Sequence, residues 1–267
     1  MLLLTSICVL LLRHQGAVAQ DAITLKFQPT IGKAYPFKMT MDMTMNQPSG
    51  GDPITTKTEV NVDMKALSRT GDVTTMETKN SNAKVTIPPD SPMAAMKETM
   101  EKSMSDMVVE SKIDTLYRIQ SVKGTGGAGN AGMMSNFQSM AFPDHPVKVG
   151  DTWKSELDLG KIMNSMLGDN AQGMTMDGKI PLKFELKSLS QKYGLSIAEV
   201  GIVMGGDATM SVAGQNITMH MKGMGSYFID IASGMTMSMK VASENEMEVG
   251  GMNISQKMTQ LMEPRQP

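Results

Sequence analysis

Methionine supplies most of the side chains that could do chemistry in this chain, 31 of 267 residues. A thioether is a soft donor suited to Cu(I) and binds without losing a proton. The run KMTMDMTM sets Met39, Met41, Met43 and Met45 at every second position, and Met219 with Met221 and Met235 with Met237 and Met239 repeat the spacing. On one extended strand such residues stand about 6.6 to 7 Å apart, so a metal would need methionines converging from neighbouring strands. No metal is assigned on that ground. Met133, Met134 and Met140 in GMMSNFQSM are the remaining soft-ligand candidates.

Other reactive side chains are sparse. Cys8 is the only cysteine, so beyond residue 19 there is no thiolate nucleophile, disulfide or cysteine-ligated metal. His145 lies in the Pro-flanked PDHPV, and His220 shares the polar side of its strand with Thr218 and Lys222. The sequence contains no Gly-x-Ser-x-Gly elbow, His-Glu-x-x-His pair, phosphate loop or dinucleotide fingerprint. Carboxylates are plentiful but none is singled out by its surroundings, and aromatics at 4% furnish a poor sugar platform. The inventory points away from an enzyme and requires no cofactor. A net charge of -2 with scattered Lys and Arg excludes a nucleic-acid partner.

Leu2 to Leu12 form an apolar run that leads to AVA before Gln20, the pattern of a signal peptide over 1–19, although no Lys or Arg precedes it. The run is short of the roughly 20 apolar residues that span a bilayer, and no later run reaches that length. The expected location is the periplasm or the outside of the cell, with no transmembrane segment in the mature chain.

The elements that must position the methionines read mainly as strands. Period-two alternation marks ITLKF, FKMTMDMTM, TKTEVNVDMKAL, GKIPLKFELKSL, QNITMHMK, SYFIDI and MTMSMKV, each with one apolar side. PMAAMKETMEKSMSDM instead spaces Met93, Met96, Met100, Met104 and Met107 at three- and four-residue steps, which predicts an amphipathic helix at about 92–108. A second helix is expected at Leu159 to Leu167, ended by Gly168. EPRQP at the end is expected to fray.

Three echoes run in the same order through both halves of the chain. IGKAY (31–35) answers VGDTW (149–153), VNVDMKALS (60–68) answers LKFELKSLS (182–190), and YRIQSVKG (117–124) answers YFIDIASG (227–234). The expected class is α+β, mainly β: curved antiparallel sheets with one or two amphipathic helices packed on the apolar face, internally duplicated. The divisions are 1–19, a first β-rich repeat over 20–123, a flexible Gly/Met-rich connection over 124–140, a second repeat over 141–263 and a disordered tail over 264–267. One continuous sheet and two domains both fit. Gly32 and Gly150 read as turn glycines, Asp151 as a local backbone acceptor, Trp153 as the start of a buried face and Asp230 as part of a solvated one.

The openings Gly32 to Tyr35 and Gly150 to Trp153, with FPDHPVKVGDTW and GSYFIDIASGM, resemble an uncharacterised bacterial family of exported, often duplicated proteins. That family has no assigned activity, so the resemblance carries no catalytic residue onto this chain. In architecture alone the chain is also similar to half-barrel lipoprotein carriers of the bacterial envelope.

Two functions follow. One is an exported structural or interaction protein with a methionine-rich core, non-catalytic, whose partner is another envelope protein. The alternative is a periplasmic carrier or binding module for a lipid or other hydrophobic ligand. Its candidate contacts are Met39, Met41, Met43, Met219, Met221, Met235 and Met237 on strands, Met96, Met100 and Met104 on the helix as a lid, and Trp153. A copper-binding protein and a hydrolase rank behind both.

Overall fold

Most of the alternating runs form strands of one sheet. The computed structural model describes residues 21–46, 51–125, 140–160, 174–192, 194–212, 215–249 and 252–265. The first half contributes β1 (Ala34–Met45), β2 (Ile54–Thr70), β3 (Val73–Thr86), β4 (Val108–Asp114) and β5 (Ile119–Thr125). The second contributes β6 (Thr152–Asp158), β7 (Met174–Asp177), β8 (Lys179–Lys192), β9 (Leu195–Val212), β10 (Gln215–Asp230), β11 (Thr236–Val249) and β12 (Met252–Pro264). They pair antiparallel in the order β5-β4-β3-β2-β1-β12-β11-β10-β9-β8-β6, with β7 on β9. The sheet is therefore continuous, and its halves meet at one joint, β1 against β12, from Phe37 opposite Pro264 to Met45 opposite Gln256.

Alternation fixes which side of each strand is buried. In β1 Tyr35, Phe37 and Met39 point inward, and in β8 Ile180, Leu182, Phe184 and Leu186 do the same, while Lys38, Lys183 and Glu185 point out. Strands from both ends of the path share one core cluster with Leu25, Phe27, Met140, Phe142 and Val147 from outside the sheet. Trp153 of β6 donates its indole N–H to Ala141 O at 2.8 Å, and Phe142 packs on Tyr117 between β4 and β5 at 5.2 Å. Opposite ends of the strand path are thus tied through residues 140–142.

ITLKF is not a strand. Ile23 makes a lone bridge to Val147, while Leu25 and Phe27 are fully buried. The segment threads between two turns: Phe27 N–H donates to Thr115 O at 2.8 Å and Gln28 N–H to Ser233 O at 2.7 Å. Those turns are built alike. Asp114 Oδ1 accepts from Leu116 N–H, and Asp230 Oδ1 accepts from Ala232 N–H. A left-handed residue follows in each, Tyr117 three residues after Asp114 at φ 61° and Gly234 four residues after Asp230 at φ 67°, so the second turn is one residue longer. Asp230 is therefore a buried turn residue, not part of a solvated face, because its strand ends there and the parity of the alternation ends with it.

The glycine openings also match. Gly32 (φ 79°) donates to Ala66 O and Gly150 (φ 94°) to Leu186 O, both at 2.8 Å. Directly after Ala66 and after Leu186 the partner strand bulges, toward Ser68 and Ser188. These positions correct two of the echoes. Ala66 corresponds in place to Leu186, two residues from where aligning VNVDMKALS with LKFELKSLS puts it, and a two-residue slip leaves the inward set unchanged. The third echo pairs unlike elements: YRIQSVKG runs from a turn into β5, whereas YFIDIASG runs from β10 into a turn.

The helical segment is shorter than the expected 92–108 and sits elsewhere. A 3-10 turn at Ala94–Met96 leads into α1 (Lys97–Ser105). β4 covers β3 only as far as Lys79, and α1 takes the edge beyond it: Ser105 Oγ accepts from Ala83 N–H at 2.9 Å and Glu101 Oε1 from Val85 N–H at 2.8 Å. The helix caps a strand edge where a lid on the apolar face was expected. Gly124 and Thr125, read as part of the connection over 124–140, belong to β5. β12 continues through Pro264, and Arg265 binds Asp63 at 2.8 Å, so the chain stays attached one residue beyond the expected onset of fraying. The expected signal peptide over 1–19, the expected second helix from residue 161 on, and Met133 and Met134 lie outside the described residues.

Candidate functional site

Strand register sorts the inner face into rows. The deepest methionine row runs Met39 of β1, Met262 of β12, Met239 of β11 and Tyr227 of β10. The next joins Met41, Gln260 and Val241, and the one after it Met43, Met258 and Ser243. Toward the β1–β2, β9–β10 and β11–β12 connections follow Met45, Gln256, Asn245 and Met221, then Ile254, Met247 and Met219. β12 alternates Gln and Met inward, and each glutamine gives an amide N–H to a thioether of β1 one row away. Gln260 Nε2 reaches Met39 Sδ and Gln256 Nε2 reaches Met43 Sδ, both at 2.8 Å.

Burial changes along these rows. Met39, Met64, Met140, Met239 and Met262 are buried and enclose, with Gln260, a cavity of about 20 Å³. That is room for about one water molecule, where ligand pockets occupy roughly 300 to 1,000 Å³. The farther rows are different. Met41, Met43, Met45, Met219, Met221 and Met247 are half-buried although they carry the same side chain on the same face, and Met258 of β12 is the buried thioether among them. Gln260 Oε1 and Asn245 Oδ1 are buried there and accept no hydrogen bond from a described residue.

The sequence candidates divide accordingly. Met39, Met41, Met43, Met219 and Met221 share the rows. Met235 is fully buried in the β10–β11 turn, and Met237 falls at the bulge where β11 loses register with Phe228 and Ile229. On the helix Met104 packs against the core, Met100 is half-buried and Met96 is 56% exposed, pointing away from the face it was expected to cover. Trp153 stacks on Phe184 at 5.5 Å in the wall of the core and offers no open surface. Met140 lines the deep cavity. Sequence reasoning missed Gln256, Met258, Gln260 and Met262; the signal was QKMTQLM, an alternating run passed over because it lies near a polar tail.

Among the described residues the perturbed groups on the inner side are two buried phenols, one of them Tyr227 in the deepest row. Burial pushes the Tyr117 phenol up to about 12, with a hydrogen bond to Thr236 opposing it, and raises Tyr227 as well. The other shifts belong to exposed pairs. Asp207, 2.7 Å from His220, raises that imidazole, Lys38 lowers Glu59, and His145 lowers the neighbouring Asp144. Among the described residues no three His, Cys, Asp or Glu side chains come together as a metal site, and no helix is long and apolar enough to cross a membrane.

No family model matches this chain, and no curated protein matches it. Among solved structures it is similar to one described as lipid-protein interactions in lipovitellin, with a TM-score of 0.50 and 12% identity over 90% of this chain. The match spans 25% of that structure's chain. At such identity the likeness is one of fold.

Proposed function

We propose that the chain is an exported, non-catalytic carrier or binding module for a lipid or other hydrophobic ligand, held on the half-buried methionine rows. One observation carries the reading: thioethers close the core in the deep rows, and beyond the buried Met258 those of β1, β10 and β11 are only half-buried. Covering apolar surface is worth about 25 cal/mol per Å², and unbranched methionine adapts to varied apolar partners. Glutamine and asparagine oxygens at the same rows would receive a polar end. The likeness in fold to a structure described by its lipid-protein interactions supports the same reading. A concave inner face is part of the proposal, supported by the tie between the two ends of the strand path through Trp153, Phe142 and Tyr117.

The deep cavity of about 20 Å³ favours a second reading, an exported interaction protein with a closed core. Native mass spectrometry of protein purified gently from its own host, before and after organic extraction, separates the two. The expected result is a solvent-removable excess mass identified as lipid, absent from the Met43→Glu/Met221→Glu variant. A bare polypeptide that stays bare when offered lipid would sink the carrier, and an excess matching copper would move the rows to soft-metal chemistry.

The duplication over 20–123 and 141–263 is likewise proposed, supported by the paired glycine joints and paired Asp turns. So is the kinship with exported bacterial proteins. With it goes cleavage after Ala19, for which terminal sequencing of the secreted protein should read Gln20 first.

A further inference from the structure

The opposite face of the sheet carries an apolar strip of its own. Lys183 of β8, Val203 of β9 and Met224 of β10 are direct cross-strand neighbours on the outer side. Val203 is 56% and Met224 65% exposed, the two most exposed large apolar side chains among the strand residues whose side chains are described. Two grooves of about 520 and 560 Å³ meet at Lys183 and Val203. Glycine shapes the larger one: Lys187 lies where a Cβ on Gly201 would project, so its aliphatic stem covers the strand in place of a side chain. Phe228 continues the strip, with Lys192 Nζ 4.7 Å above its ring.

Charge selects the occupant. Lys154, Lys183, Lys187 and Lys240 line the grooves against Glu156 and Glu185, although the whole chain is acidic at -2. On neighbouring outer-face strands carboxylates balance the lysines: Glu244 binds Lys222 and Lys257, and Glu59 binds Lys38 and Lys57. None of the four groove lysines enters an ion pair with a described residue. The strip has no Trp, Tyr or Arg, the types that anchor protein interfaces, and lysine is depleted from such interface cores. Aliphatic tips flanked by snorkelling ammonium groups fit a lipid headgroup layer instead.

We propose that this outer strip docks the protein on an anionic bilayer surface, with Val203 and Met224 at the headgroup–acyl boundary and Lys183, Lys187 and Lys240 facing lipid phosphates. The docking face lies on the other side of the sheet from the methionine rows, so the two sites are separable.

The test is co-sedimentation of the full chain with phosphatidylcholine vesicles, with and without phosphatidylglycerol. Binding is expected on the anionic vesicles alone, weakening as salt rises. Lys183→Gln/Lys187→Gln/Lys240→Gln should reduce it about a hundredfold, at roughly fivefold per lysine charge removed. Val203→Thr/Met224→Gln changes exposed positions without charge and should also weaken binding, which guards against a charge variant that fails to fold. Equal binding to neutral vesicles, unchanged binding by either outer-face variant, or lipid-free self-association abolished by the lysine variant would each overturn the proposal.

Discussion

Gly234 shows how much can depend on one missing side chain. Its φ of 67° disfavours any other residue, and a Cβ there would run into Lys26 O, where the buried 25–28 segment passes. Gly234→Ala is expected to cost about 3 kcal/mol from steric overlap and backbone strain. Gly71→Ala, also left-handed but with open space around it, should cost about 1 kcal/mol. Urea unfolding of both checks the contrast. The tyrosines set a second expectation. Unfolded phenols titrate near 10, whereas burial holds Tyr117 protonated to about 12 and raises Tyr227. Their stabilisation is complete below about pH 10 and disappears as pH rises through the folded values, on the order of 3 kcal/mol for Tyr117. Thermal melting should therefore be level to about pH 9.5 and then fall, less steeply for Tyr117→Phe. A slope unchanged by that substitution would count against the assignment. At this scale local chemistry was legible in the sequence: the left-handed Gly32 and Gly150, the Asp151 acceptor to Lys148 N–H at 2.8 Å and the buried Trp153 all follow from residue type and neighbours. Asp230 did not, because alternation assigns a face only while the strand lasts.

At the scale of elements, α1 replaces a missing strand segment. Its Glu101 and Ser105 take the N–H groups of Val85 and Ala83 that would otherwise face solvent along the edge of β3. Glu101→Ala and Ser105→Ala should each lower stability by about 1 kcal/mol, and the double variant should self-associate through the uncovered edge. Light scattering reads the second effect; a monodisperse double variant would mean that the helix body alone guards the strand. The methionine spacing identified a helix here, but its place is decided by β4 stopping opposite Lys79, a length mismatch that no local pattern contains. The same holds for the rows. Met39 and Gln260 are 221 residues apart in sequence, so the alternation that turns each of them inward says nothing of their meeting.

Across the whole molecule, both halves depend on the β1–β12 joint. Removing β12 would bare the long edges of β1 and β11 and strip Met258, Gln260 and Met262 from the inner rows. A chain ended at residue 251 is expected to lose the cooperative melt and to aggregate. Retention of a sharp transition in that truncation would show that each half holds its own core.

The placement of β12 also sets an order of events. β1 is among the first strands to leave the ribosome, yet one of its two edges gains its partner only when residues 252–264 have been made. Until then β1 offers a row of unpaired amides flanked by methionine, and closure needs contacts between the most distant parts of the sequence, the slowest kind to form. Completion of the sheet thereby waits for its last strand. One edge of β1 therefore stays open until β12 has been made and has docked against it.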